Sequence, residues 1–133
     1  MSTPIPELTQ AEWAIIKAVW ALEPCAAPTV QEALEKSHGW TYSTVRTQMD
    51  RMVAKGLLSA EKLRNLTLYR AAVTRQQAQL VELRYALTHA FDGALTPMVE
   101  TLLSTERLSS EDLDALEALI AARRKAAPRK PRA

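Results

Sequence analysis

The sequence predicts a mainly α-helical chain of the α+β class, with helices throughout and one two-stranded hairpin near the middle. Three observations carry that expectation. Apolar residues recur at helical spacing in most segments. Leu57–Lys62 and Leu66–Ala71 are instead short, β-prone runs around a polar turn. Charge is also unevenly spread: residues 40–75 hold Arg46, Arg51, Lys55, Lys62, Arg64, Arg70 and Arg75 against Asp50 and Glu61, a net +5. The segments on either side are acidic, with residues 1–39 at −3 and residues 76–122 at −6.

The elements follow in order. Pro4 and Pro6 keep residues 1–8 extended. Thr9 and Glu12 have capping-box spacing, so a first helix is expected from there to about Leu22. Trp13, Ile16, Val19 and Trp20 form its core face, and Glu23-Pro24 ends it. Thr29 and Glu32 form a second capping box for a helix reaching about Lys36, with Val30, Ala33 and Leu34 facing inward. Gly39-Trp40 is a turn, and Thr41 is the N-cap of a third helix. In that helix Val45, Met49, Met52 and Val53 fall at 0, +4, +7 and +8, one stripe of a 3.6-residue period. Ser43, Thr44, Thr47, Asp50 and Arg51 occupy the opposite face, flanked by Arg46 and Lys55. Gly56 stands where a left-handed C-cap belongs. Leu63-Arg64-Asn65 joins the two strands, with Asn65 suited to a positive φ.

A helix with an apolar back and a hydroxyl-and-arginine front, followed by a β-ribbon, is the pattern of a winged helix-turn-helix entering the major groove of DNA. The basic surplus falls on this segment, where Lys and Arg would displace counterions condensed on phosphates. Thr44 and Thr47 are expected at base edges or thymine methyls. Ser43 and Arg46 are expected at bases or the adjoining phosphates, and Arg51, Lys55, Lys62 and Arg64 at phosphates. Thr41 belongs to the same set.

The second half changes character. Leu80, Leu83, Leu87 and Phe91 follow helical spacing from about Thr74, and Gly93 breaks the helix. Leu95, Met98, Val99, Leu102 and Leu103 form a short apolar helix. Ser109, with Asp112 three residues on, caps a last helix carrying Leu113, Leu116, Leu119 and Ile120. With no sheet to cover them, these faces pack on each other or on a second chain. Three short helices bury little surface alone, which favours a homodimer. The expected organisation is a winged-helix DNA-binding domain over residues 1–73, a helical dimerisation domain over 74–122 and a basic tail over 123–133. The tail holds six basic residues and no acid. Pro128 and Pro131 oppose helix there, so it is expected to be disordered, serving either DNA affinity or solubility.

Several function classes find no support. No Gly-rich phosphate loop, no His with a neighbouring nucleophile and acid, and no metal-ligand spacing occurs, so neither catalysis nor a cofactor is expected. Trp13, Trp20 and Trp40 suit core packing better than ligand stacking. Cys25 is the single cysteine, so no internal disulfide forms, and beside Pro24 it suits an inert thiol better than a redox sensor. No apolar run approaches the ~20 residues of a membrane span, and the N-terminus lacks the basic start and apolar core of a signal peptide. A cytoplasmic location is therefore expected.

The residues also carry a resemblance. LTQAEWAIIKAVW, WTYSTVRTQMDRMVAKGLL, and FDGALTPMVETLL followed by LSSEDLDALEALI resemble, in this order, the opening helix, recognition helix and dimerisation segment of the penicillinase-repressor family of transcriptional regulators (BlaI/MecI/CopY type). The resemblance covers nearly all of residues 8–122. It implies a homodimeric repressor that binds a palindromic operator of double-stranded DNA. Its dimerisation surface would be Leu95, Met98, Val99, Leu102, Leu103, Leu113, Leu116 and Ile120, helped by Leu83 and Leu87.

Three positions depart from the family pattern. The wing tip reads Arg64-Asn65 where many relatives have glycine beside arginine. The C-terminal cysteine cluster of copper-responsive relatives is absent. The Asn-Phe pair at which antibiotic-responsive relatives are cleaved by an inducing protease reads Thr101-Leu102. The inducing signal, the operator and the target genes are not written in the sequence. The competing class is a winged-helix protein–protein adaptor without an operator, which would expose apolar groups on the front of the third helix.

Overall fold

A computed structural model of the chain describes residues 5–127. Six helices and one hairpin follow in the order α1 (Gln10–Leu22), α2 (Ala27–His38), α3 (Tyr42–Ala54), β1 (Leu58–Leu63), β2 (Leu66–Ala71), α4 (Arg75–Phe91), α5 (Leu95–Thr105) and α6 (Ser110–Ala126). The fold is a winged helix followed by a helical C-terminal region. The chain forms two compact units that divide after Ala90, within the last turn of α4.

In the first unit, three helices and the hairpin enclose a core of Ile15, Ile16, Val19, Val30, Leu34, Val45, Met49, Met52, Leu57, Leu58 and Tyr69. Thr9 caps α1 through the expected capping box: its hydroxyl accepts from the Glu12 amide at 3.1 Å, and its own amide donates to Glu12 Oε1 at 2.9 Å. The core face of α1 is Ile15, Ile16 and Val19, however, and Trp13 and Trp20 stand half-buried on its flank. An indole is large and carries an N–H that needs a partner. On the flank, Trp13 Nε1 donates to Glu82 of α4 at 2.9 Å and Trp20 Nε1 to the Val73 carbonyl at 3.0 Å.

The second expected capping box does not form. Ala26 is the N-cap of α2, without a side-chain bond, and Ala27 and Pro28 open the helix. Proline is pre-organised for a first turn, and Ala27 is buried there, so the helix starts before Thr29. It runs on to His38, and Ala33 is exposed rather than inward.

Helix α3 ends in a Schellman arrangement: Leu57 N–H donates to Met52 O at 2.9 Å and Gly56 N–H to Val53 O at 3.1 Å. This needs the positive φ of Gly56, +83°. The reversal aims the chain straight into β1. Antiparallel pairing runs from Leu58↔Ala71 to Leu63↔Leu66, leaving Arg64-Asn65 as a two-residue turn. Positive φ falls on Arg64 (57°) and not on Asn65. Cys25 adds a short bridge on the far side of β2, exchanging backbone bonds with Tyr69 at 3.1 and 2.7 Å.

Helix α4 is capped by Thr74, which exchanges bonds with Gln77, and buries Ala78 in its first turn. Arg75 lies over the Trp20 ring at 4.7 Å. In the second unit, Ser109 and Asp112 form the expected capping box of α6. That helix continues to Ala126, so Arg123, Arg124 and Lys125 form its last turn instead of opening a disordered tail. Basic side chains there complement the negative end of the helix dipole. The rest of the expected tail, 128–133, lies outside the described residues. No residue of α5 or α6 is buried.

Candidate nucleic-acid interface

Helix α3 has three distinct faces. Val45, Met49 and Met52 lock its back into the core. Ser43, Thr47, Asp50 and Arg51 stand exposed on the front. The start of the helix is a hydroxyl cluster: Thr41 Oγ1 accepts from the Thr44 amide at 3.2 Å, donates to Thr44 Oγ1 at 3.1 Å and lies 3.2 Å from Ser43 Oγ. Thr41 is thus the cap that presents Ser43 and Thr44. Small hydroxyls over a helix N-terminus can accept or donate to base edges and phosphates.

Along the side of this front that meets the hairpin runs a stripe of Tyr42, Arg46 and Asp50, spaced i, i+4, i+8. Arg46 Nε reaches both Asp50 oxygens at 3.3 and 3.2 Å, and its Nη1 donates to the Tyr42 hydroxyl at 3.2 Å. Asp50 Oδ1 also accepts from the Tyr69 hydroxyl at 2.8 Å. Tyr69 is 0 % exposed. Burial first, then the bond to the Asp50 carboxylate, pushes its phenol up to about 12, so it stays a donor. Beneath the exposed helix face, one buried phenol therefore ties β2 to α3.

The far flank of α3 is tied internally as well. Lys55 Nζ sits 2.6 Å from Glu12 Oε2, and Glu12 is only 3 % exposed. Burial raises the Glu12 carboxyl, but Lys55 and the Thr9 cap outweigh it and hold the group below the usual carboxylate range. Lys55, expected at a phosphate, is thereby engaged with its own protein. Arg46 and Lys55 are the basic residues found in ion pairs among the described residues. Arg51, Lys62 and Arg64 are exposed, the last two on the hairpin. At the hairpin tip the cross-strand pair Leu63 and Leu66 is also about half exposed, beside Arg64.

Thr41, Ser43, Thr44, Arg46, Thr47, Arg51 and Lys55 thus share α3 and its C-cap, and Lys62 and Arg64 lie on the adjoining ribbon. Sequence reasoning missed Tyr69, Glu12 and the apolar wing tip. The i, i+4 spacing of Arg46 and Asp50 was a visible signal for their pairing. Tyr69 gave none, because its contact depends on hairpin register.

The residues expected at a dimer surface are distributed over three helices. Leu83 and Leu87 lie on α4 in the first unit. Leu95, Met98, Val99, Leu102 and Leu103 lie on α5, with Leu113, Leu116 and Ile120 on α6. Leu95 is 62 % exposed, Leu102 50 % and Ile120 57 %. Thr101 and Leu102 lie inside α5, with the Thr101 hydroxyl donating to the Pro97 carbonyl at 2.9 Å. Among the described residues no cluster of three or more His, Cys, Asp or Glu could hold a metal ion, and no helix is long and apolar enough to cross a membrane. Cys25 is a buried free thiol.

The penicillinase repressor family pattern matches residues 8–122. The penicillinase repressor of Bacillus licheniformis is 26% identical over 112 residues, 84% of this chain and 88% of its own. The methicillin resistance regulatory protein MecI of Staphylococcus aureus (strain N315) is 20% identical over 114 residues, 86% of this chain and 93% of its own. A solution structure of the monomeric form of Bacillus licheniformis BlaI in complex with the blaP half-operator covers 55% of this chain and 89% of its own, at 25% identity and a TM-score of 0.49. With the family pattern running over most of its length, the protein belongs to the penicillinase-repressor family of transcriptional regulators.

Proposed function

We propose that the protein is a sequence-specific DNA-binding transcriptional repressor that acts as a homodimer on a palindromic operator. The observation that carries this reading is the exposed front of α3. Ser43, Thr44, Thr47 and Arg51 are open to solvent on a helix whose back is fixed in the core. A rigid helix with short hydroxyls and arginine in front suits the major groove, where threonine meets bases and arginine meets guanine or phosphate. A protein-binding adaptor would favour apolar groups on the same face.

In this reading residues 1–73 bind DNA, with Lys62 and Arg64 reaching phosphates from the wing. Residues 74–122 hold two copies together through the exposed leucines of α5 and α6, so that both heads meet half-sites about one helical turn, ~34 Å, apart or a multiple of it. The reading implies a cytoplasmic protein.

Selection of duplexes from a random pool by the full chain tests the proposal. The expected product is a two-fold symmetric sequence bound by a dimer. Enrichment of no sequence would overturn sequence-specific binding, and enrichment of an unsymmetric single site would overturn the dimer.

A further inference from the structure

Asp50 is an anion on the face of α3 that, in the function proposed above, approaches DNA phosphates. Alone it would oppose binding by repulsion. Its surroundings suggest a compensating task. Both of its oxygens lie within 3.3 Å of Arg46 Nε, and Oδ1 also accepts from the buried Tyr69 hydroxyl at 2.8 Å. Arg46 is gripped a second time by the Tyr42 hydroxyl at Nη1, and its guanidinium carbon lies 6.0 Å from the centre of the Tyr69 ring. Nε and one hydrogen of Nη1 are thus engaged, whereas Nη2, which with the second Nη1 hydrogen forms the two-donor end of the guanidinium, has no hydrogen-bond partner among the described residues. An arginine on a flexible stem normally serves phosphate or base indifferently. One held at Nε and Nη1 has lost much of that freedom before DNA arrives, which lowers the ordering cost of a directional contact.

We propose that Asp50, anchored by Tyr69, is a positioning residue that holds Arg46 in place to read a base, with guanine O6 and N7 as the matching acceptors, and that this network links the wing strand to the sequence preference of α3. The inference rests on the proposed DNA-binding function and specifies which residues set its selectivity. Tyr69 suits the anchor because it is fixed from both sides. Its hydroxyl is on Asp50 and its backbone is paired with Cys25. Any movement of β2 is therefore felt at Arg46.

The test uses the full chain and two duplexes: one selected by the wild-type protein from a random pool, and a scrambled duplex of the same composition. Arg46→Ala should lower the ratio of the two affinities. Asp50→Asn keeps the shape but removes the charge that holds Arg46. It should lower the ratio about tenfold while leaving affinity for the scrambled duplex unchanged or raised. The slope of log affinity against log salt should steepen by up to about one unit per head as the released arginine turns to phosphate. Tyr69→Phe should act in the same direction but less, since Asp50 loses its anchor and not its charge. In an Arg46→Ala background, neither substitution should change the ratio further.

An unchanged ratio in Asp50→Asn overturns the inference. So does an equal loss on both duplexes that follows a fall in thermal stability, which marks a merely structural residue. An effect that persists without Arg46 also overturns it, since Asp50 would then touch a base itself. If the wild type selects no sequence, the proposed function fails and the inference with it; selection by the wild type with an unchanged Asp50→Asn ratio removes only the inference.

Discussion

Helices α1 and α5 carry similar loads of large apolar side chains and meet different ends. On α1, Ile15, Ile16 and Val19 are fully buried, walled in by α2, α3 and the base of the hairpin. On α5, Leu95, Val99, Leu102 and Leu103 are all 40 % exposed or more, and no residue of the helix is buried. The difference lies in the number of surfaces available and not in the hydrophobicity of either helix. A helix needs covering on a broad face to remove its stripe from water. The first unit supplies that with several elements, whereas α5 has one long helical neighbour in its own unit. Apolar area left in water costs about 25 cal/mol per Å² relative to burial. The apolar faces of α5 and α6 would therefore gain free energy on being covered, whether by each other or by a second chain.

Four changes would break or sharpen this contrast. The largest effect is expected from Leu102→Asp. At a two-fold interface it buries two unpaired charges and should weaken association by several kcal/mol. The head should stay folded, and operator affinity should fall steeply as the half-sites uncouple. Analytical ultracentrifugation and residual thermal unfolding of the head check both halves of that statement. A tight dimer in the variant would place the interface elsewhere. Next, Met49→Ala opens a cavity behind α3 and should cost the head about 2–4 kcal/mol. Chemical denaturation should show that loss without a change in dimer dissociation. Equal losses in both would mean that the two regions fold as one.

Glu12→Gln is a smaller, pH-dependent test of the head. The folded carboxyl titrates below its unfolded value, so its contribution is complete above the ordinary glutamate range near pH ~4.3. It disappears as pH falls through the lower folded value. The variant should be about 1–2 kcal/mol less stable than the wild type at neutral pH, and the two should converge in acid. A constant gap from pH ~7 to ~3 would show that the Glu12–Lys55 pair contributes nothing through its charge. The smallest effect is expected from Arg64→Ala at the wing tip. It should weaken all duplexes alike and flatten the salt dependence by about 0.9 per engaged head. If sequence preference relaxes while the slope holds, Arg64 is a base reader.

What was legible in the sequence divides by range of interaction. The Thr9–Glu12 and Ser109–Asp112 capping boxes and the Gly56 reversal are local signals, and each formed as expected. Thr29–Glu32 has the same signature and did not form, because burial of Ala27 and the stiffness of Pro28 start α2 earlier. Spacing can suggest a cap but does not know where the core is. The wing shows the same limit. Leu63↔Leu66 pairing fixes the turn at two residues and assigns the positive φ to Arg64, although asparagine would accept it more easily. Residue types on the front of α3 were readable from the helical period. The ties that orient them were not, because Tyr69 meets Asp50, and Glu12 meets Lys55, across separate elements.

The pairing of Cys25 with Tyr69 gives the head a built-in clock. The thiol is buried, and burial first and the Glu23 charge second raise it above its ordinary value, so little reactive thiolate exists in the closed head. Alkylation must wait until the closed head opens around the thiol. Where reclosing is faster than alkylation, the labelling rate relative to that of a free cysteine measures the fraction of time the head is open, tenfold slower for each ~1.4 kcal/mol of opening free energy. Because the same bridge fixes the tyrosine that holds Asp50, this one native thiol reports without any added label on the element that positions Arg46.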